Sequence, residues 1–229
     1  MKRALASLLL ALGWVLFSST PAAAERVALD RVVVRFSAPE TGGARSPRFI
    51  FERTLAFEAR IEALADPDRV AGTDPRPYRE RHVRVALERH VAETILASLR
   101  IDPEPSEREL SRQTEAARVM LNERAGGALA VEQAATAEGI DRRELTSILR
   151  RQARSSLYLD RMVAPMLAPS EAELRNIHRS VATPFRDRPF EEVAPLLRRW
   201  YVRKRLTLAL QAFFQNARSR VSVAILPPP

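Results

Sequence analysis

The 229-residue chain has no cysteine, which excludes a disulfide framework, a thiolate metal site and a cysteine nucleophile. Lysine is nearly missing as well: it stands at Lys2 and Lys204 alone, so 35 of the 37 basic residues are arginine. That skew reads as a compositional habit. With Arg and Glu interleaved at helical spacing it describes solvated helix faces and argues against nucleic acid as a partner. Glycine is sparse, at seven positions, and none of them belongs to a phosphate-cradling loop. There is no HExxH and no Ser/His/Asp arrangement. His82 and His90 are eight residues apart on one predicted helix, about 12 Å at the helical rise, too far to share a metal. No cofactor, no metal and no enzymatic activity are expected.

Long apolar runs are also lacking, with one exception. Residues 4–17 are apolar, but these fourteen residues fall short of the roughly 20 that a spanning helix needs. Lys2 and Arg3 precede the run, and Ala22-Ala23-Ala24 closes it before Glu25. This is the three-part pattern of a cleavable secretory signal peptide, with cleavage between Ala24 and Glu25. The absent cysteine leaves no lipid attachment point, so the expected mature product is residues 25–229, exported and without an integral membrane segment. The formal charge of +9 falls to about +7 when Lys2 and Arg3 are removed with the leader.

Residues 26–36 are β-branched and partly alternate, a strand pattern, and residues 48–51 suit a short second strand after a Gly/Pro-containing loop at 37–47. Residues 52–65 have helical spacing, and the prolines and glycine of 66–77 mark a break. The following text, to about residue 220, reads as helices. Over 78–101 the residues Val83, Leu87, Val91, Ile95 and Leu99 form an i+4 apolar stripe. Capping boxes at Ser106/Glu109, Asp141/Glu144 and Ser170/Glu173 open three helices. Gly126-Gly127 and Gly139 end two. The helix after Asp141 is expected to reach Pro165, and a last one runs from about 189 to 220, with Pro195 kinking it or marking its first turn. Residues 221–226 close as a strand, and pairing it with the first strand removes two open edges. The predicted fold is mainly α: one helical domain over 25–229, with a small β element that joins the chain ends.

This order resembles the N-terminal chaperone module of the SurA type, in the parvulin-like foldase family of the periplasm. The stretches that carry the resemblance are Leu29-Asp30-Arg31-Val32-Val33-Val34, Leu87-Glu88-Arg89-His90-Val91-Ala92-Glu93 and Pro105-Ser106-Glu107-Arg108-Glu109-Leu110. They continue with Ala137-Glu138-Gly139-Ile140-Asp141, Leu149-Arg150-Arg151-Gln152, Tyr158-Leu159-Asp160-Arg161-Met162-Val163 and the Pro169 to Arg175 segment. One departure is decisive. The parvulin isomerase domain would lie at about 181–190, where fewer than a dozen residues stand against the roughly 50 that a domain needs. Prolyl isomerase activity would follow from the family label alone.

The resemblance implies an ATP-independent holdase that binds unfolded or exported polypeptides in the periplasm, in the setting of outer-membrane protein assembly. The alternative is an assembly subunit that holds one fixed envelope partner, and a homodimer is compatible with either. Adaptable apolar surface is the chemistry such a role needs, and methionines and aromatics supply it. The candidate client or dimer surface is Met120, Leu121, Tyr158, Met162, Met166, Trp200, Tyr201, Phe213 and Phe214. In the adjacent pairs Trp200-Tyr201 and Phe213-Phe214 one member should leave the core stripe, which favours Tyr201 and Phe214. Arg198, Arg199, Arg203, Lys204 and Arg205 would flank that surface with positive charge.

Overall fold

The computed structural model describes residues 30–68, 78–218 and 220–227. The expected signal peptide with its Ala24/Glu25 cleavage point, the first residues of the opening strand and most of the break after 66 lie outside the described residues. The architecture is mainly helical, with a three-stranded antiparallel sheet that includes the N-terminal and C-terminal strands. Strand β1 (Val32–Ser37) lies between β2 (Arg48–Phe51) and β3 (Ser222–Ile225). Val34 stands opposite both Ile50 and Ile225, and Phe36 opposite Arg48 and Val223. Both edges of β1 are therefore paired, as the closing of the chain ends requires.

The loop between β1 and β2 folds into two short 3-10 turns, Pro39–Thr41 and Gly43–Arg45. Thr41 holds the first: its hydroxyl donates to the Ala38 carbonyl at 3.1 Å, and the Ala38 N–H donates to Thr41 Oγ1 at 3.3 Å. The strand register next to this loop is regular, and the irregularity falls at the far end, between Val32 and Val34.

Helix α1 (Glu52–Leu64) follows β2 directly. Its buried residues are Leu55, Phe57, Ala59, Ile61 and Ala63. At 100° per residue, burial at every second position means two buried faces. Leu55 and Ala59 meet Val34, Phe36 and Ile50 under the sheet. Phe57 and Ile61 enter the larger core, with Leu121, Ala125, Val131, Ile148 and Leu149. The helix is thus central, with the sheet on one side and the other helices around it.

Those helices are α2 (Glu80–Ser98), α3 (Glu107–Ala125), α4 (Ala128–Ala137) and α5 (Arg142–Tyr158). All three predicted capping boxes form. Ser106, Asp141 and Ser170 each accept from the N–H three residues on, and Glu109, Glu144 and Glu173 accept the cap N–H in return. Gly139 adopts φ 68°, the left-handed conformation that ends α4, and its carbonyl accepts a hydrogen bond from Arg53 at 2.9 Å.

Helix α4 starts at Ala128, directly after Gly127. One helix end differs from the sequence reading. The helix after Asp141 does not continue unchanged to Pro165: α5 ends at Tyr158, a wider π-type turn spans Leu159–Val163, and a 3-10 turn spans Ala164–Leu167. Pro165, which has no N–H to donate, lies in that tightened turn. The hairpin of α6 (Glu171–Ser180) and α7 (Phe190–Arg218) packs around Leu174, Ile177 and Leu197. Pro195 lies inside α7, early enough that the carbonyl it leaves unpaired belongs to exposed Glu191. Among the described residues no helix is long and apolar enough to cross a membrane.

The sheet's two faces give an expected contrast. Phe36 is 1% exposed and Phe49 is 49% exposed. Phe36→Ala should cost about 3–5 kcal/mol of unfolding free energy, and Phe49→Ala should stay within about 0.5 kcal/mol. The shift of the urea midpoint in each variant measures both.

Candidate functional site

The site begins with the face that α2 turns inward. Of the predicted stripe, Ile95 is fully buried, and Val83, Leu87, Val91 and Leu99 are half-buried, the first three packed against the core under the sheet. The most deeply buried positions also include His82, Ala86 and His90, with Ala92 and Leu96 further along. Burying two histidines is tolerable because each has a partner. His82 accepts the Arg79 N–H at Nδ1, 3.0 Å, which leaves its Nε2 to meet Asp66 at 2.9 Å. His90 Nδ1 lies 2.9 Å from a Glu58 carboxylate oxygen.

Glu58 is the centre of a charge cluster that joins three helices. It projects from α1, meets His90 of α2, and pairs with the guanidinium of Arg151 from α5. Arg151 is shared with a second carboxylate, Glu93 of α2, at 3.3 Å. One turn along α1, Glu62 binds Arg89 of α2 at 2.7 Å and Arg124 of α3 at 2.5 Å. Three guanidiniums are thereby held on two carboxylates of α1.

The two carboxylates on Arg151 respond in opposite ways. Burial acts to raise Glu58, but Arg151 and His90 outweigh it and hold the group below the ordinary carboxylate value. Burial pushes Glu93 up to about 7, a rise that attraction to Arg151 offsets in part and repulsion from Glu58 reinforces. Glu93 is therefore a carboxyl that carries its proton about half the time near neutrality.

Glu93 also lines an open groove of about 820 Å³ between α2, α3 and α5. Leu96, Ala117, Leu121 and Leu159 supply apolar wall, Met120 and Val85 stand at exposed positions, and Leu210 reaches it from α7. The concavity follows from residue size. Ala92, Ala117, Ser155 and Ser156 line it from three different helices, and none of them is long enough to fill the space between the helices. The π-type turn that follows α5 begins at Leu159, on the same wall.

The predicted surface residues do not converge on this groove. Met120 is 68% exposed and lines it. Leu121 lines it too, but is buried and forms part of the main core. Tyr158 and Met162 pack half-buried against Ile101, Leu110 and Leu157. Met166 is 75% exposed on the 3-10 turn, away from the groove lining. Trp200 and Tyr201 both pack against Leu174 and Leu197, so the expectation that Tyr201 alone leaves the core stripe is corrected. The helix turns by 100° between them, but α6 is broad enough to meet both. Of the expected basic flank, Lys204 lies over Trp200 at 5.3 Å and Arg205 over Tyr201 at 5.6 Å. The side chains of Phe213 and Phe214 lie outside the described ones.

Sequence reasoning missed the groove and its charge cluster. The available signal was the small residues at 92, 117, 155 and 156, whose alignment across three helices depends on packing angles that no local pattern contains. Comparison with protein-family models, with curated proteins and with solved structures finds no match.

The cluster has a pH signature. Glu93 binds a proton in the folded chain over a range in which the unfolded chain has lost it, from its ordinary 4.5 to about 7. Stability should therefore fall as pH rises through that window, by roughly 3 kcal/mol at most, and Glu93→Gln should flatten the fall. Glu58 acts with the opposite sign, and its contribution is lost on acidification below the ordinary value. Removing their shared partner in Arg151→Met should cost about 3–5 kcal/mol at pH 8, and less at pH 5, where Glu93 is protonated. Urea unfolding from pH 3 to 8 checks these statements.

Proposed function

We propose that the protein is an ATP-independent, holdase-type chaperone of the cell envelope that binds unfolded or exported polypeptides in the groove between α2, α3 and α5. The single observation that carries this reading is the groove itself: about 820 Å³, open to solvent and lined mainly by apolar atoms. Soluble proteins seldom leave such a surface uncovered unless something binds it. Met120 at its rim suits partners of varied shape, because a flexible thioether side chain repacks at little cost.

Two sequence features support the same reading. The leader pattern at 1–24 directs the chain out of the cytoplasm, to a compartment where unfolded chains arrive and ATP is not available. The motif order resembles a periplasmic chaperone module from which the isomerase has been lost. Binding in a groove needs no covalent step and no cofactor, which suits a chain whose strongest charge cluster is consumed in holding helices together.

The test is aggregation of an unfolded outer-membrane protein, followed by light scattering with and without the mature chain and without nucleotide. Suppression is expected near stoichiometric ratios. Met120→Glu, which places a charge at the groove, should remove most of it, and Met166→Glu, equally exposed but off the groove, should leave it intact. No suppression at several-fold molar excess, or equal effects of the two variants, would overturn the proposal.

A further inference from the structure

The sheet has an open edge. In the strand order β2-β1-β3, strand β3 pairs with β1 on one side and, among the described residues, with no strand on the other. The Leu226 N–H donates to the Val33 carbonyl at 2.9 Å. Antiparallel bonding alternates along a ladder, so Ser222, Ala224 and Leu226 turn their backbone groups toward β1. Val223 and Ile225 therefore aim their N–H and C=O groups outward, along the open edge. The same two residues carry side chains that the core leaves uncovered. They stand opposite Phe36 and Val34 and share the core face of the sheet. Phe36 and Val34 are 1% and 2% exposed, whereas Val223 and Ile225 are 44% and 74% exposed. The layer of helices beneath β1 stops short of them.

We propose that β3 is a polypeptide site separate from the groove: it takes an extended segment of another protein as a fourth, antiparallel strand, with alternating apolar residues and acidic flanks. A row of alternating donors and acceptors is met along its whole length only by another extended backbone. Edge strands are ordinarily guarded by charge or proline, and residues 221–226 contain neither. At the opposite edge, β2 begins with Arg48 and runs straight into α1. In an antiparallel pair the added residues that bond Val223 and Ile225 point their side chains to the same face, so apolar residues there cover the two that the core leaves bare.

Charge commits the site to a foreign, acidic strand and against a second copy of the chain. Arg35 stands opposite Ala224, and Arg48 lies across the sheet opposite Phe36. Both are exposed and, among the described residues, paired with no carboxylate. Arg220, two residues before β3, meets Glu40 at 3.5 Å, the one acidic partner at this end of the sheet among the described residues. The bias extends into α7: residues 193–229 hold seven Arg and Lys and no Asp or Glu, and thus seven of the +9 net charge, Lys2 and Arg3 supplying the other two. Pairing β3 with its own copy would bring two such segments together. It would also bury far less than the roughly 1,000 Å² that a stable interface needs. An acidic flank is instead attracted.

The experiment uses the mature chain and fluorescent nine-residue peptides of alternating valine and threonine, ended by glutamates or by lysines. Anisotropy titrations at low salt should show the Glu-ended peptide binding about fivefold tighter or more, a preference that high salt reduces. N-methylation of its valines, whose N–H groups would face β3, should abolish binding, and N-methylation of its threonines should not. In the unmodified protein, saturating Glu-ended peptide should slow amide hydrogen exchange of Val223 and Ile225 about tenfold and leave Ala224 and Leu226, already bonded to β1, little changed. Ile225→Pro, which removes an outward N–H and no bond to β1, should weaken binding about tenfold, and Met120→Glu should leave it intact. No binding, equal affinity for the two peptides, or unchanged exchange at Val223 and Ile225 would overturn the inference. So would protection of those amides in the free chain that grows with protein concentration, the mark of a second copy. None of these outcomes bears on the groove, whose own test runs through Met120.

Discussion

The arrangement of this protein depends on how a central helix disposes of its carboxylates. Helix α1 is enclosed by the sheet on one side and by the main core on the other, so Glu58 and Glu62 have no route to water that keeps the helix where it is. An isolated buried carboxylate is too costly to retain. The chain's answer is to bring Arg151 and His90 to Glu58, and Arg89 and Arg124 to Glu62. Helices α2, α3 and α5 are thereby each tied to α1 by a charge that none of them can release. Helix α1 repeats the device with cations of its own: Arg60 pairs with Glu138 at 2.5 Å, and Arg53 binds both Glu144 and the carbonyl of Gly139, fixing the α4–α5 junction. Apolar packing supplies most of the stability of such a body, but it is indifferent to rotation of one helix against another. The ion pairs supply the direction.

The groove is the counterpart of that cluster. Where α2, α3 and α5 converge on α1 their inner faces are filled by charge pairs and by the core residues around them. Where the same three helices line the groove, small side chains at 92, 117, 155 and 156 leave the space between them open. Glu93 belongs to both regions, with Arg151 behind it and the groove before it. The groove wall and the fold's internal charge pairs therefore share a residue, so a change to Arg151 reaches both the stability of the fold and the wall of the groove.

Local features were legible in the residues. Ser106, Asp141 and Ser170, each followed three residues on by a glutamate, announced three helix starts because a capping box involves only neighbours in the chain. Gly126 and Gly139 announced stops for the same reason. The joining of the chain ends was legible as well, since two strand patterns at opposite ends of a helical sequence have few other ways to satisfy their edges. The face of α2 was read in part. Val83, Leu87, Val91 and Ile95 of the apolar stripe do face the core, but the burial of His82 and His90 beside them depends on partners from elsewhere in the chain.

What the sequence by itself determined is therefore whatever is decided within a few residues: helix starts and ends, strand patterns, the leader pattern and the absence of cysteine chemistry. The tertiary structure alone decided which charges became internal and which small residues fell side by side. Glu58 and Arg151 are far apart in the chain, and Ala92, Ala117 and Ser155 lie on separate helices. The physical reason is one of range. Hydrogen bonds at caps and turns close between neighbours, whereas ion pairing in a low-dielectric interior and the shape of a groove depend on how whole helices are set against one another.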